Sequence, residues 1–234
     1  MDKALDSVRA SLSIAGIAAT LLYGGQVMGA ATDTGEGKRV VLVGASIGKE
    51  WHIERIRERV SLPGYRFDYL GTYEFDKGPL IAKLVSDPDK PAWVMIKECS
   101  TYFPGDEQQY RRQVMDWVGM LRAAGIQPVL VTTAPIAEPT DYLSRAKLLV
   151  KRAIGRQTTL ESITRFNDWL KQYARGENIP VFDLEAELRR SDKERWLRSE
   201  FDAGDRIHLT QSAYRVMDDS FAKFLVGPPG ALKP

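Results

Sequence analysis

The run Arg39-Val40-Val41-Leu42-Val43 constrains this chain more than any other feature. Its apolar residues are continuous rather than alternating, and three of them are β-branched valines. A strand of this kind is buried on both faces, so it needs cover above and below. The rest of the chain can supply that cover. After Gly44 comes a helical pattern with Ile53, Ile56 and Val60 on one face, ended by Leu62-Pro63-Gly64. Tyr65, Phe67 and Tyr69 alternate as a second strand, Leu80–Val85 suits a short helix, and Trp93–Ile96 a third strand. Tyr110, Val114, Trp117, Val118 and Leu121 recur at helical spacing within Asp106–Ala124, with Gly125 as the stop. Pro128–Thr133 reads as a fourth strand, and Leu160, Ile163, Phe166, Leu170 and Tyr173 mark another helix. Ile179–Asp183 reads as a fifth strand, and Tyr214, Met217, Phe221 and Phe224 line a final helix. Strands alternating with helices imply a mostly parallel sheet with helices on both faces.

Composition narrows the function. The chain has 234 residues, 44% hydrophobic and 27% charged, which excludes collagen-like, coiled-coil, multi-pass membrane and wholly disordered chains. Thirty-three basic residues against 31 acidic give a net charge of +2, without the basic excess of a dedicated nucleic-acid binder. The single cysteine, Cys99, rules out an internal disulfide framework and any zinc site built from several thiolates. Histidine chemistry is confined to His52 and His208.

The N-terminus reads as a targeting segment. Lys3 and Arg9 precede the apolar run Leu12–Tyr23, and Gly29-Ala30-Ala31 places small residues where a signal peptidase cuts. The run is short for a membrane span; the other reading is an uncleaved anchor or an amphipathic N-terminal helix. The resulting division is a signal peptide over 1–31, a linker over 32–38, one domain over 39–226 and a loose tail over 227–234. The expected location is periplasmic or secreted, with no integral membrane domain once the signal is removed.

In a parallel α/β sheet, functional groups collect in loops at the carboxyl ends of the strands, and three places qualify. In Gly44-Ala45-Ser46-Ile47-Gly48 a serine sits between strand and helix, in the G-x-S-x-G pattern of nucleophilic serines. Ser46 is either that nucleophile or a helix cap. Neither a Walker A loop nor G-x-G-x-x-G is present. In Asp205-Arg206-Ile207-His208 the carboxylate can accept from one ring nitrogen, leaving the other to act as a base. The third is the polar and aromatic loop Lys97–Asp106. Its small polar side chains either stabilise an oxyanion or satisfy local backbone, and Cys99 reads as a buried, inert thiol.

Together the first and last blocks resemble the SGNH/GDSL hydrolase family. Gly44-Ala45-Ser46-Ile47 stands where that family has its G-D-S block, with Ala45 in place of the aspartate. Asp205-Arg206-Ile207-His208-Leu209, followed by Tyr214, is similar to its D-x-x-H block before the last helix. The likeness runs from about residue 38 to residue 226. It implies an α/β fold, a flavodoxin-like three-layer α/β/α sandwich with a mostly parallel five-stranded sheet. It implies Ser46 as nucleophile, His208 as base and Asp205 as its orienting acid. It also implies an oxyanion hole from the Ser46 N–H, a glycine N–H (Gly71, with Gly78 behind it), and Thr101, which falls where the family has asparagine. An α/β-hydrolase is the rival G-x-S-x-G scaffold, but only one strand precedes Ser46 and no H-G-G-G motif occurs upstream.

The expected chemistry is therefore serine-dependent hydrolysis of an acyl ester through an acyl-enzyme, without metal or organic cofactor. An acetylated glycan or other envelope ester is the expected substrate, with Trp51, Tyr73, Tyr102 and Phe103 as candidate substrate-binding aromatics. The alternatives are O-acetyl transfer to an exported polysaccharide and a catalytically impaired glycan-binding protein. Partners are a small-molecule or glycan ester and no nucleic acid, and oligomeric state stays open.

Overall fold

The computed structural model of the chain describes residues 37–227. The proposed signal peptide, residues 32–36 of the linker and the tail beyond Gly227 lie outside the described residues, and Lys38, placed in the linker, opens the first strand. Five parallel strands form one sheet: β1 (Lys38–Gly44), β2 (Tyr65–Gly71), β3 (Trp93–Lys97), β4 (Gln127–Val131) and β5 (Val181–Phe182), in the order β2-β1-β3-β4-β5. The valine-rich strand β1 is thus internal, paired with β2 from Lys38↔Tyr65 to Gly44↔Gly71 and with β3 from Val40↔Trp93 to Val43↔Ile96. β5 is much shorter than the sequence implies, pairing with β4 only at Leu130↔Val181 and Val131↔Phe182.

Alternate strand residues face opposite layers, which explains the continuous apolar runs. Val40, Leu42, Met95, Val129 and Phe182 pack against α1 (Ser46–Glu50), α6 (Leu184–Leu188) and α7 (Gln211–Val226). Val41, Val43, Val94, Ile96 and Leu130 pack against α2 (Gly78–Ser86), α3 (Glu107–Ala123) and α5 (Thr159–Gly176). The result is the expected three-layer α/β/α sandwich. Caps hold the long helices: Asp106 accepts from the Gln109 N–H at 3.0 Å, and Thr158 with Glu161 forms a capping box at the start of α5.

The helix expected after Gly44 is instead two pieces. α1 stops after one turn, Trp51 turns into the core, and His52 adopts a left-handed conformation with φ 48°. Ile53 and Ile56 then reach the same core from a tight 3-10 helix, Ile53–Glu58. Two helices were not expected from the sequence. One is α6; the other is α4 (Tyr142–Ala153), which buries none of its residues.

Candidate active site

Strand order reverses between β1 and β3, where ligands of such sheets bind outside the carboxyl ends. Ser46 follows β1, and the Cys99–Phe103 loop follows β3. Ala45, not Ser46, is the N-cap of α1, and Ser46 Oγ makes no hydrogen bond among the described residues. The half-buried hydroxyl is therefore not used as a cap.

The turn that carries Ser46 is held from β2. The Tyr69 hydroxyl donates to the carbonyl oxygens of Gly44 at 3.2 Å and Ala45 at 3.1 Å. Burial pushes its phenol up to about 12, so it remains a donor. Gly48 explains the second glycine of the motif, because a Cβ there would lie 3.1 Å from the Tyr69 ring and 3.4 Å from Leu42. Only a bare backbone lets α1 sit this close to the sheet.

Asp205 and His208 sit on an excursion closed at its base by the antiparallel bridge Asp202↔Leu209. The Asp202 side chain accepts from the N–H groups of Gly204 (3.0 Å) and Arg206 (2.9 Å), and Gly204 takes φ 107°, which a side chain would oppose. Ala137 N–H donates to the Arg206 carbonyl at 3.0 Å and Arg206 Nε donates to the Ala137 carbonyl at 3.1 Å, locking the excursion to the segment after β4. Within it, one Asp205 oxygen accepts from the backbone N–H groups of Ile207 (2.9 Å) and His208 (2.8 Å). The other meets His208 Nδ1. Burial raises the Asp205 carboxyl, but these hydrogen bonds outweigh it and hold the group down to about 2. An ionised Asp205 can only accept, so the contact is made by an Nδ1–H, and in the neutral ring that leaves Nε2 as the acceptor.

A cavity of about 340 Å³ brings Ser100, Thr101 and Phe103 from the β3 loop against Asp205, Arg206 and Ile207. Glu50 and Trp51 at the end of α1 line a second cavity with Leu209 and Gln211, which follow His208 in the chain. Thr101 thus meets the excursion that carries Asp205, and the residues that end α1 meet those that follow His208.

The oxyanion side is more sparsely furnished. Ser100 is buried and its hydroxyl donates to the Ala134 carbonyl at 2.8 Å, a structural use. Thr101 is exposed, with Oγ1 3.1 Å from Cys99 Sγ. Gly71 does not present its N–H as expected. Thr72 N–H donates to the Gly44 carbonyl at 3.0 Å, so strand alternation turns the Gly71 N–H to the outer side of the edge strand. The Gly78 N–H is taken by Asp76 at 2.8 Å.

Two of the four expected substrate aromatics are core residues. Trp51 is 2% exposed, stacked on Phe182 with edge contact to Phe221, and its indole N–H donates to Asp218 at 2.9 Å. Phe103 is 5% exposed and packs on Tyr110 and Phe166, showing the cavity only an edge. Apolar rings whose polar atoms are satisfied internally gain more from the core than from a wet cleft. Tyr73 is exposed, and Tyr102 is half-buried with its hydroxyl donating to the Glu74 carbonyl at 3.2 Å.

Beneath the β3 loop lies a buried ionic cluster that sequence reasoning missed. Lys77, Lys97 and Glu98 are all at most 3% exposed. The Lys77 ammonium donates to Glu98 at 2.5 Å and lies 5.3 Å from the centroids of the Phe75 and Tyr102 rings. Burial pulls the Lys97 amine down and the Glu98 carboxyl up. Among the described residues, no group of three or more His, Cys, Asp or Glu is placed to hold a metal ion.

No family sequence model and no curated protein sequence matches the chain. Solved structures do. A protein assigned as an acylhydrolase from Bacteroides fragilis aligns with a TM-score of 0.58 at 22% identity, covering 80% of this chain and 85% of that one. A GDSL-like lipase from Bacteroides thetaiotaomicron aligns with a TM-score of 0.58 at 18% identity, covering 80% and 86%. An acetylxylan esterase from Geobacillus stearothermophilus, a catalytic serine-to-alanine variant, aligns with a TM-score of 0.57 at 14% identity, covering 85% and 98%. The chain has the fold of SGNH/GDSL hydrolases.

Proposed function

We propose that this chain is a serine ester hydrolase working through an acyl-enzyme. The observation that carries the reading is the Asp205–His208 clamp, three hydrogen bonds to the Asp205 carboxylate that hold the imidazole by Nδ1 and leave Nε2 without a hydrogen-bond partner among the described residues. In the proposed cycle His208 Nε2 takes the Ser46 proton as Oγ attacks the acyl carbon. The Ser46 N–H and the Thr101 hydroxyl face the oxyanion. The alcohol leaves with the proton from His208, and a water activated by the same nitrogen releases the acid.

A short acyl group on a glycan or other envelope ester is the substrate class we favour. The cavity of about 340 Å³ at Thr101 and Asp205 is small, and Tyr73, in the loop after β2, has an exposed ring. Acetylxylan esterases share the fold, and the segment over 1–31 reads as an export signal. A second reading, binding without turnover, is favoured by one observation: the two candidate glycine N–H donors are turned away or occupied.

Fluorophosphonate labelling, read by peptide mass spectrometry, tests the proposal together with a chromogenic acetyl ester. Ser46 takes the label, and Ser46→Ala loses label and turnover while keeping its fold. Turnover that survives Ser46→Ala overturns the mechanism. An unlabelled, inactive parent protein that binds glycan supports the second reading, and transfer to an added sugar outpacing hydrolysis identifies a transferase.

A further inference from the structure

Helix α4, between β4 and α5, carries most of the exposed large apolar surface of the described chain. Of nine exposed large hydrophobic residues, five fall between Tyr142 and Ile154: Tyr142 (85% exposed), Leu143, Leu149, Val150 and Ile154. Isolated exposed hydrophobes are ordinary, but a contiguous patch marks an interaction surface. At 100° per residue these five, with Ala146 and Ala153 between them, occupy one arc of about 140°. Ser144 and Leu148 project the opposite way and line a cavity with Ile136, Leu160 and Trp196, and the exposed Lys147 and Lys151, between that side and the stripe, border the same cavity. The apolar stripe is therefore the outward face.

Charge selects the occupant. Arg145 and Arg152 flank the stripe on one side, Lys147 and Lys151 on the other, and Arg156 lies just beyond the helix. No Asp or Glu occurs from Tyr142 to Leu160. Only Arg152 is tied to a carboxylate, Glu161 at 3.0 Å. A second copy of the chain docked face to face would bring two such cationic rims together. A surface with an apolar interior and anionic headgroups matches both parts at once.

We propose that α4 is a docking surface for an anionic lipid bilayer, its apolar stripe entering the headgroup boundary and its flanking lysines and arginines meeting lipid phosphates. The helix roofs a cavity that shares Ile136, Thr159 and Arg206 with the cavity at Thr101 and Asp205. Docking through α4 therefore brings that cavity to the membrane. It does not depend on ester hydrolysis, and the test reads binding alone.

Leu149→Cys in the full chain, labelled with an environment-sensitive fluorophore, reports on this face and not on the N-terminal apolar run. Cys99 is buried, and the parent protein controls for its labelling. Phosphatidylcholine vesicles containing phosphatidylglycerol should shift the emission to the blue, whereas phosphatidylcholine alone should not, and high salt should reverse the shift. Lys147→Glu with Lys151→Glu should weaken the response by more than roughly tenfold. Val150→Cys serves as a second reporter. No shift with anionic vesicles at either position overturns the proposal, as does an equal, salt-insensitive shift with neutral vesicles. A shift that tracks protein concentration without lipid, with a dimer in sedimentation, assigns the face to a second copy and also overturns it.

Discussion

Lys77 and Glu98 form an ion pair sealed from solvent directly beneath the loop that carries Thr101, 2.5 Å apart and 0% and 3% exposed. Removing one partner leaves the other charged or unpaired in a medium that cannot solvate it. Lys77→Met alone should cost about 3–5 kcal/mol in denaturant unfolding, and Glu98→Gln a comparable amount. Lys77→Met with Glu98→Leu should recover much of that loss. Two single losses that simply add would show that the pair is not coupled.

Asp205→Asn removes the acceptor that fixes the His208 tautomer. Ester kcat/KM should fall by roughly 10²–10⁴, with KM nearly unchanged. The sign of the pH effect comes from a carboxyl held at about 2 when folded against about 3.9 unfolded. Its stabilising contribution is complete above about pH 5 and disappears as pH falls toward 2. Melting curves of the parent and Asp205→Asn should therefore differ at pH 6 and converge near pH 2. Both groups are about half exposed, so the difference is modest.

Tyr69→Phe deletes both hydrogen bonds to the Ser46 turn. Stability should fall by about 1 kcal/mol, and turnover should fall about tenfold because the serine loses its bracing. Gly71→Ala should give a similar phenotype, since its Cβ would lie 2.6 Å from the Tyr69 hydroxyl. Unchanged kcat in Tyr69→Phe would show that the turn keeps its geometry without that clamp.

Thr101→Val keeps the side chain's shape and deletes its hydroxyl. A working oxyanion donor is worth roughly 10²–10³ in rate, so kcat should drop toward that range. A silent Thr101→Val in an active enzyme would leave the oxyanion to backbone N–H groups. Ser100→Ala should act on stability instead, because that hydroxyl is bonded to the Ala134 carbonyl.

What was legible in the sequence tracked burial. Strand β1 announces itself because both faces of its valines meet core. Asp205 and His208 can be paired on paper because only two residues separate them and the contact is local. Side-chain direction was not legible: Trp51 stands close to Ser46 in the chain yet points into the core to meet Phe182. Gly71 is at the end of its strand as expected, but the side to which its N–H points depends on ladder alternation with β1. Helix α4 escaped assignment because its apolar periodicity answers to nothing in the core.

The brevity of β5 separates the two halves of the candidate triad in time. β1, which leads into Ser46, is held by ladders on both sides, whereas β5 has two ladder positions. Phe182 of β5 is also the ring on which Phe221 and Phe224 of α7 rest, and α7 begins three residues after His208. A fluctuation that frees this margin carries off the imidazole while β1 stays protected. Amide exchange should be faster along β5 and α7 than along β1, and heat should silence the protein reversibly before it unfolds.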